Sequence, residues 1–460
     1  MASSIKINIV DECHISPPPN TPPISLPLTF LDIPWLLFSP NQSIFFYNFS
    51  NYTSLTKNII PFLKHSLAST LQHFAPFSGN ISTPLRPVKP QIVYSHGDYV
   101  SMSVAESDGD AFRQLSSNCQ KDVSKLLSLV PDLESPVSKN RTVVPSLAVQ
   151  ITVFRDTGMS IGLSFQHVVA DERTFNIFMK TWASTCKSLQ EKKFAVPVIS
   201  SPPCFDRNVM IDPNGELETT LLNQWWNRTI SQKGQMYDSS DMVQSTFMLS
   251  IDDLQRIKTM IIAQCKEMNQ PQPILLSAYV LACSLVWICL MKCQGNTSAN
   301  VSEKPAYFGF IAGGITRLDF TVPGTYFGNC VAFGRTGAME SDLLSENGLV
   351  VAAKAIGKKI KDLDQEVLRD AKRWISEWEE MSESNVNVIV VGSPKVDLYD
   401  MDFGWGRPEK IEKISVDRGT AICLTESRDL KGGMEVGIAL SKANMSKFSS
   451  LFEVLKVQLH

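Results

Sequence analysis

The chain reads as an α/β protein of two domains, each of about 200 residues, joined by a long crossover. Three observations predict this. At 460 residues with 43% apolar and 19% charged side chains, it is a globular chain too long for one ordinary core. Runs rich in β-formers alternate with segments of helical apolar spacing in both halves. Between them, residues 191–240 lose that periodicity, with Pro-Pro and Asn-Gly pairs and few apolar repeats. The predicted division is therefore an N-terminal domain over 1–190, a crossover over 191–240 and a C-terminal domain over 241–460.

In chain order, "LTKNIIPFLKHSLASTLQHFAPFSG" places Ile59, Leu63, Leu67, Leu71 and Phe74 at helical spacing and closes on Pro76 and Gly79, an amphipathic helix with its stop. "VVPSLAVQITVF" and "GMSIGLSFQH", separated by "RDTG", form a hairpin signature. After Asp171 the spacing of Phe175, Phe178, Met179 and Trp182 is helical again. His167 thus falls where a strand ends and Asp171 where a helix begins. The second half supplies a strand-like "STFMLS", an apolar run from Ile274 to Met291, "AYFGFIAGG", a charged helix near 350–380, and the stretch "VNVIVVGSPKVDLYDMDFGWGRPEKI".

The apolar run is close to the lower limit for a membrane span. It lacks flanking basic clusters, and an all-round apolar helix is what the centre of a large domain requires, so a buried helix is expected and no membrane span. A net charge of −3 without long basic runs argues against nucleic acid. Ten scattered cysteines with no C-x-x-C pair read as reduced, packed thiols, and six histidines without ligand spacing predict no metal site. The N-terminus has no apolar signal region, so the sequons at Asn48, Asn51 and Asn80 carry no weight and a cytoplasmic location is expected.

His167 and Asp171 form an H-x-x-x-D spacing. Alone, the histidine reads as a satisfied side chain and the aspartate as a helix N-cap. Thr174 and Ser184 offer no nucleophile elbow. No glycine-rich dinucleotide or P-loop fingerprint occurs either. "YDMDFGWG", Tyr399 to Gly406, describes a tight backbone held by aromatics and a carboxylate, and "TYFGNC", Thr325 to Cys330, a β-aromatic run closed by Gly-Asn.

These strings, with "LTFLDIPWL" and "GSPK", occur in an order that resembles the plant BAHD acyl-CoA-dependent acyltransferases over essentially the whole chain. "YFGNC" and "GSPK" resemble the anthocyanin and flavonoid-glycoside branch. The resemblance implies two chloramphenicol-acetyltransferase-like domains with an active-site channel between them. It implies a monomeric O-acyltransferase (EC 2.3.1.-) that transfers an aliphatic or aromatic acyl group to a hydroxyl of a phenolic glycoside or aglycone alcohol, with acyl-CoA as co-substrate and no bound cofactor. His167 would take the proton of the acceptor hydroxyl in a ternary complex, a task suited to an imidazole that is neutral near pH 7. Asp402 would be mainly structural and no second base, although the family pattern treats it as essential and so sets it beside His167 in the catalytic set. Asp171, Arg317, Gly404, Trp405 and Gly406 would support the site. Phe175 and Tyr326 are candidates for the acyl pocket, and Lys258, Ser393 and Lys395 for CoA contacts.

Three departures stand out. Glu172 occupies a position that is usually glycine. "GGITRL" leaves Ile315 in place of an arginine that pairs with the motif aspartate, so that either Asp171 has lost its usual partner or Arg317 replaces it. Phe175 stands where malonyl-specific members often carry arginine, which disfavours a malonyl donor. N-acylation of an amine, and a relative that binds CoA esters or phenolics without turnover, are the competing readings.

Overall fold

The computed structural model describes residues 5–133, 137–138, 141–191, 201–227, 241–294, 304–383, 387–392, 397–414 and 421–457. The chain divides into two compact units. The first comprises Met1–Lys233, Phe320–Cys330 and Val396–Ile414; the second comprises Gly234–Asp319, Val331–Lys395 and Ser415–His460.

In the first unit a mixed sheet runs in the order Asn8–Ile15, Val100–Ser107, Leu147–Phe154, Gly158–Phe165, Asn41–Asn48, Lys410–Ile414. The hairpin expected around "RDTG" pairs Leu147 through Phe154 antiparallel with Phe165 through Gly158, and Asp156 takes the left-handed conformation its turn requires (φ 58°). Both hairpin strands are buried along their whole length, as expected of strands covered on both faces. The amphipathic helix forms over Ile60–Leu71, entered through a wider π-helical turn at Leu55–Ile59. Leu63, Leu67, Leu71 and Phe74 are essentially inaccessible. Complete burial of such side chains contributes about 1.5–3 kcal/mol each.

The second unit has its own sheet, with strands in the order Val331–Met339, Pro305–Gly313, Asn387–Val391, Ala421–Glu426, Met434–Ser441, Met242–Leu249. The apolar run forms the helix Ala278–Gln294, buried continuously from Val280 to Met291 and packed against the helices Gly348–Gln365 and Lys442–Val457. Among the described residues no helix is long and apolar enough to cross a membrane.

Two expectations need correction. The "TYFGNC" and "DFGWG" segments, placed by sequence in the C-terminal domain, pack with the first unit. Lys410–Ile414, just after DFGWG, adds to the first sheet by pairing antiparallel with Asn41–Asn48. The crossover at 191–240 is not a mere linker over its described part, 201–227. Its helix Leu217–Asn227 buries Leu217, Leu221 and Leu222 and packs against the 3₁₀ turn Ile33–Leu37.

Candidate active site

His167 sits two residues beyond the strand Gly158–Phe165, in a turn closed by hydrogen bonds from the Val169 amide to the Gln166 carbonyl (3.0 Å) and from the Ala170 amide to the His167 carbonyl (3.2 Å). Its imidazole stacks on Trp35, with ring centroids 3.9 Å apart and planes 9° from parallel. The Asn329 carboxamide donates to the carbonyls of His167 (3.0 Å) and Val168 (3.2 Å). Nδ1 is enclosed with no hydrogen-bond partner among the described residues. Burial holds the imidazole pKa below its ordinary value, opposed by the nearby Asp171 and Glu172 carboxylates. A neutral, basic ring near pH 7 is the consequence.

Asp171 is the N-cap of the 19-residue helix Glu172–Gln190 and is 2% exposed. Oδ1 accepts from the Thr174 amide (2.8 Å) and Oδ2 from the Cys330 amide (3.0 Å). Its carboxylate therefore joins the helix start to the Gly328–Cys330 loop instead of facing a substrate. Arg317 is not its partner. The nearest cation to Asp171 in this unit is Arg173, 4.0 Å away, whereas Arg317 binds Asp364 (2.8 Å) and the Gly313 carbonyl (2.6 Å) within the second unit. Glu172 is paired with Lys413 of the strand Lys410–Ile414.

The "TYFGNC" segment is not a strand; its backbone forms one isolated bridge, Tyr326 with Cys204. A buried network holds it instead, centred on a residue without an assigned role in the sequence reading. Asp32 accepts from the Thr29 amide and hydroxyl (2.9 and 2.8 Å) and from the Asn329 amide and carboxamide (both 3.0 Å). Arg207 lies 3.7 Å from the same carboxylate and donates to the Tyr326 hydroxyl (2.5 Å) and the Phe327 carbonyl (2.9 Å). Tyr326 is fully buried, and burial raises its phenol pKa well above the ordinary value. Arg207 fixes its hydroxyl and ring in place. Thr29 three residues before Asp32 was a visible turn spacing; nothing local marked Arg207.

Phe175 moves out of the pocket. It is 1% exposed and stacks on Phe165 (centroids 4.1 Å, 10°), with Phe77 and Phe178 around it. The fourth position after Asp171 faces the aromatic core of the first unit, because helical spacing turns it to the same side as Phe178 and Trp182.

In the DFGWG turn, Asp402 Oδ1 accepts from the amides of Gly404 and Gly406 (2.8 Å each), and Oδ2 pairs with Lys187 Nζ (2.6 Å). Burial works against this carboxylate, but Lys187 and the two amides outweigh it and hold its pKa below the usual value. Gly404 and Gly406 adopt φ of 113° and 102°, conformations open to glycine and strained for other residues. Trp405 stacks on Phe403 (5.6 Å, 13°) and meets the edge of Tyr47. Lys187 lies 16 residues along the helix from Asp171, about 24 Å at 1.5 Å per residue. Asp402 is therefore a turn brace remote from His167, not a second catalytic group.

Of the CoA candidates, Lys258 is half-buried on the helix Ile251–Glu267 of the second unit. Ser393 and Lys395 lie outside the described residues. Among the described residues no three His, Cys, Asp or Glu side chains come together as a metal site.

A family model described as Transferase family matches residues 5–455. The chain is 37% identical over 458 residues to coumaroyl-CoA:anthocyanidin 3-O-glucoside-6''-O-coumaroyltransferase 1 of Arabidopsis thaliana, covering 97% of this chain and 96% of that protein. It is 34% identical, with the same coverage, to malonyl-coenzyme A:anthocyanin 3-O-glucoside-6''-O-malonyltransferase of Dahlia pinnata. Vinorine synthase superposes with a TM-score of 0.70 at 17% identity, covering 96% of each chain; this likeness shows the fold alone.

Proposed function

The chain belongs to the BAHD transferase family, and from that membership we propose that it transfers an aromatic acyl group from its CoA thioester to a sugar hydroxyl of a phenolic glucoside, with His167 as general base. That it is an acyl-CoA-dependent O-acyltransferase of plant specialised metabolism follows from its full-length relatives. The aromatic donor and the glucoside acceptor are read from the coumaroyltransferase relative, of which it shares 37% of residues.

The observation that carries the mechanism is the setting of His167. Its ring is fixed face to face on Trp35, its Nδ1 is enclosed, and burial keeps it unprotonated. Nε2 is then the nitrogen available to an incoming hydroxyl. The neutral imidazole takes the hydroxyl proton as the oxygen attacks the thioester carbonyl. The tetrahedral intermediate collapses with cleavage of the carbon–sulfur bond, and the departing thiolate receives the proton from the imidazolium. A thioester is activated already, so no covalent acyl-enzyme is needed.

Phe175 lies in the aromatic core and does not discriminate a malonyl from a neutral donor. Arg173 donates to the Gly324 and Tyr326 carbonyls (2.5 and 2.9 Å), Arg207 serves Asp32 and Tyr326, and Lys413 serves Glu172. Nε and Nη2 of Arg207 have no hydrogen-bond partner among the described residues, so these cations do not decide the donor, and the aromatic acyl group is read from the coumaroyltransferase relative alone.

The test is a donor panel of acetyl-, isobutyryl-, malonyl- and p-coumaroyl-CoA with pooled phenolic glucosides and aglycone alcohols, following thiol release and product mass. We expect p-coumaroyl transfer to a glucoside, reduced about 10²–10⁴-fold in His167→Ala with an unchanged circular dichroism spectrum. Preference for malonyl-CoA overturns the donor assignment. Full activity in His167→Ala overturns the base.

A further inference from the structure

Glu172 is the first residue of the helix that Asp171 caps, and it faces a lysine of a strand remote in sequence. A glutamate in a first turn is commonly explained by the helix dipole alone. Here its carboxylate makes a direct ion pair with Lys413, and the two side chains are 21% and 10% exposed. Neighbouring residues on a strand point to opposite faces. Glu412 binds Lys121 in an ion pair exposed by 1–2% at each partner, which leaves Lys413 directed to the other face, toward Glu172. The strand itself is fixed by its register with Asn41–Asn48.

We propose that Glu172 and Lys413 form a positioning pair that anchors the turn carrying His167 and sets the basicity of its imidazole. The proposal rests on His167 being the base. Glu172 is five residues from His167, and its carboxylate favours the protonated ring. The other groups around the ring are less free to act. Asp171 is bonded to two backbone amides, and Arg173 donates to the Gly324 and Tyr326 carbonyls. Trp35 and Phe38 present apolar rings from the Ile33–Leu37 side. Asp32 is bonded to Asn329 and faced by Arg207. The Cys330 thiol, pushed up to about 12 chiefly by burial, stays protonated. Glu172 and Lys413 are therefore the opposed charges whose balance is open to change by substitution.

The experiment is the pH dependence of kcat/KM with p-coumaroyl-CoA and an anthocyanidin 3-O-glucoside for the wild type, Glu172→Gln, Lys413→Met and the double variant. Removing the carboxylate disfavours the imidazolium, so the acidic limb of Glu172→Gln moves to lower pH. Removing the ammonium leaves Glu172 uncompensated, so the limb of Lys413→Met moves to higher pH. Shifts on the order of half a pH unit in opposite directions are expected, with near cancellation in the double variant. A bridge that only stabilises the fold lowers the thermal midpoint and leaves the limb in place. Unmoved limbs, or shifts of the same sign, overturn the pair while the base stands. A wild-type limb that persists unchanged in His167→Ala overturns the base and this proposal with it.

Discussion

Asp32 shows how much one buried carboxylate organises. Two of its four hydrogen bonds come from its own turn and two from Asn329, and Asn329 in turn holds the carbonyls of His167 and Val168. The first-unit fold and the base are thus joined at a single residue that no substrate need touch. Replacing Asp32 by alanine removes the buried counter-charge 3.7 Å from Arg207 and leaves the Asn329 backbone amide without its acceptor, while the Asn329 carboxamide keeps the His167 and Val168 carbonyls. Breaking a buried pair in this way costs about 3–5 kcal/mol. The expected result is a lower urea midpoint in Asp32→Ala, larger than for Trp35→Phe, which preserves an aromatic platform for His167. At this scale the place of His167 beyond a strand end and of Asp171 as a helix N-cap was legible from the change of periodicity around them. The pairing of Asp32 with Asn329 was not, since nearly 300 residues of chain separate the two and neither has a periodic signature.

The helix Glu172–Gln190 has different tasks at its two ends. Its start is fixed by Asp171 and Glu172, and its far end holds the DFGWG turn through Lys187 and through Gln190, which donates to the Phe403 carbonyl (2.6 Å). Loss of charge in Asp402→Asn removes the Lys187 ion pair and weakens two amide bonds. The expectation is a reduced thermal midpoint with the kcat/KM pH profile kept in place. A displaced acidic limb would show that the turn reaches the base after all. The helix itself was readable from the spacing of Phe175, Phe178, Met179 and Trp182. What periodicity does not reveal is whether a buried aromatic lines a pocket or fills a core, and Phe175 fills the core. The β-aromatic run "TYFGNC" forms no strand for a related reason. Its β-rich composition fits a sheet, yet bonds from Asp32, Arg207 and Arg173 fix its backbone.

Across the whole molecule, two α/β units and the buried apolar helix followed directly from length and pattern. Their discontinuity did not, because propensity is local and the contacts that recruit Phe320–Cys330 and Val396–Ile414 to the first unit are long-range. A chain ending at Lys233 retains the continuous part of that unit but lacks the strand Lys410–Ile414 and the Asn329 and Cys330 amides. Lys121 loses Glu412, Asp32 loses Asn329, and the strand Asn41–Asn48 loses one neighbour. Such a fragment is expected to have far-UV ellipticity without the near-UV signal of a packed aromatic core, in contrast to the full chain. A near-UV spectrum characteristic of fixed packing in the fragment would show that the two late segments are accessory.

The same stitching gives the order of synthesis a physical meaning. After Lys233 leaves the ribosome, about 180 further residues must be made before Ile414 follows, roughly 10–40 s at ordinary elongation rates. During that interval the strand Asn41–Asn48 keeps an open hydrogen-bonding edge and Lys121 has no counter-charge. An open edge invites pairing with other nascent chains. The first unit is begun first and finished late, so the yield of active enzyme depends on how well a cell shelters that edge while the ribosome is still at work.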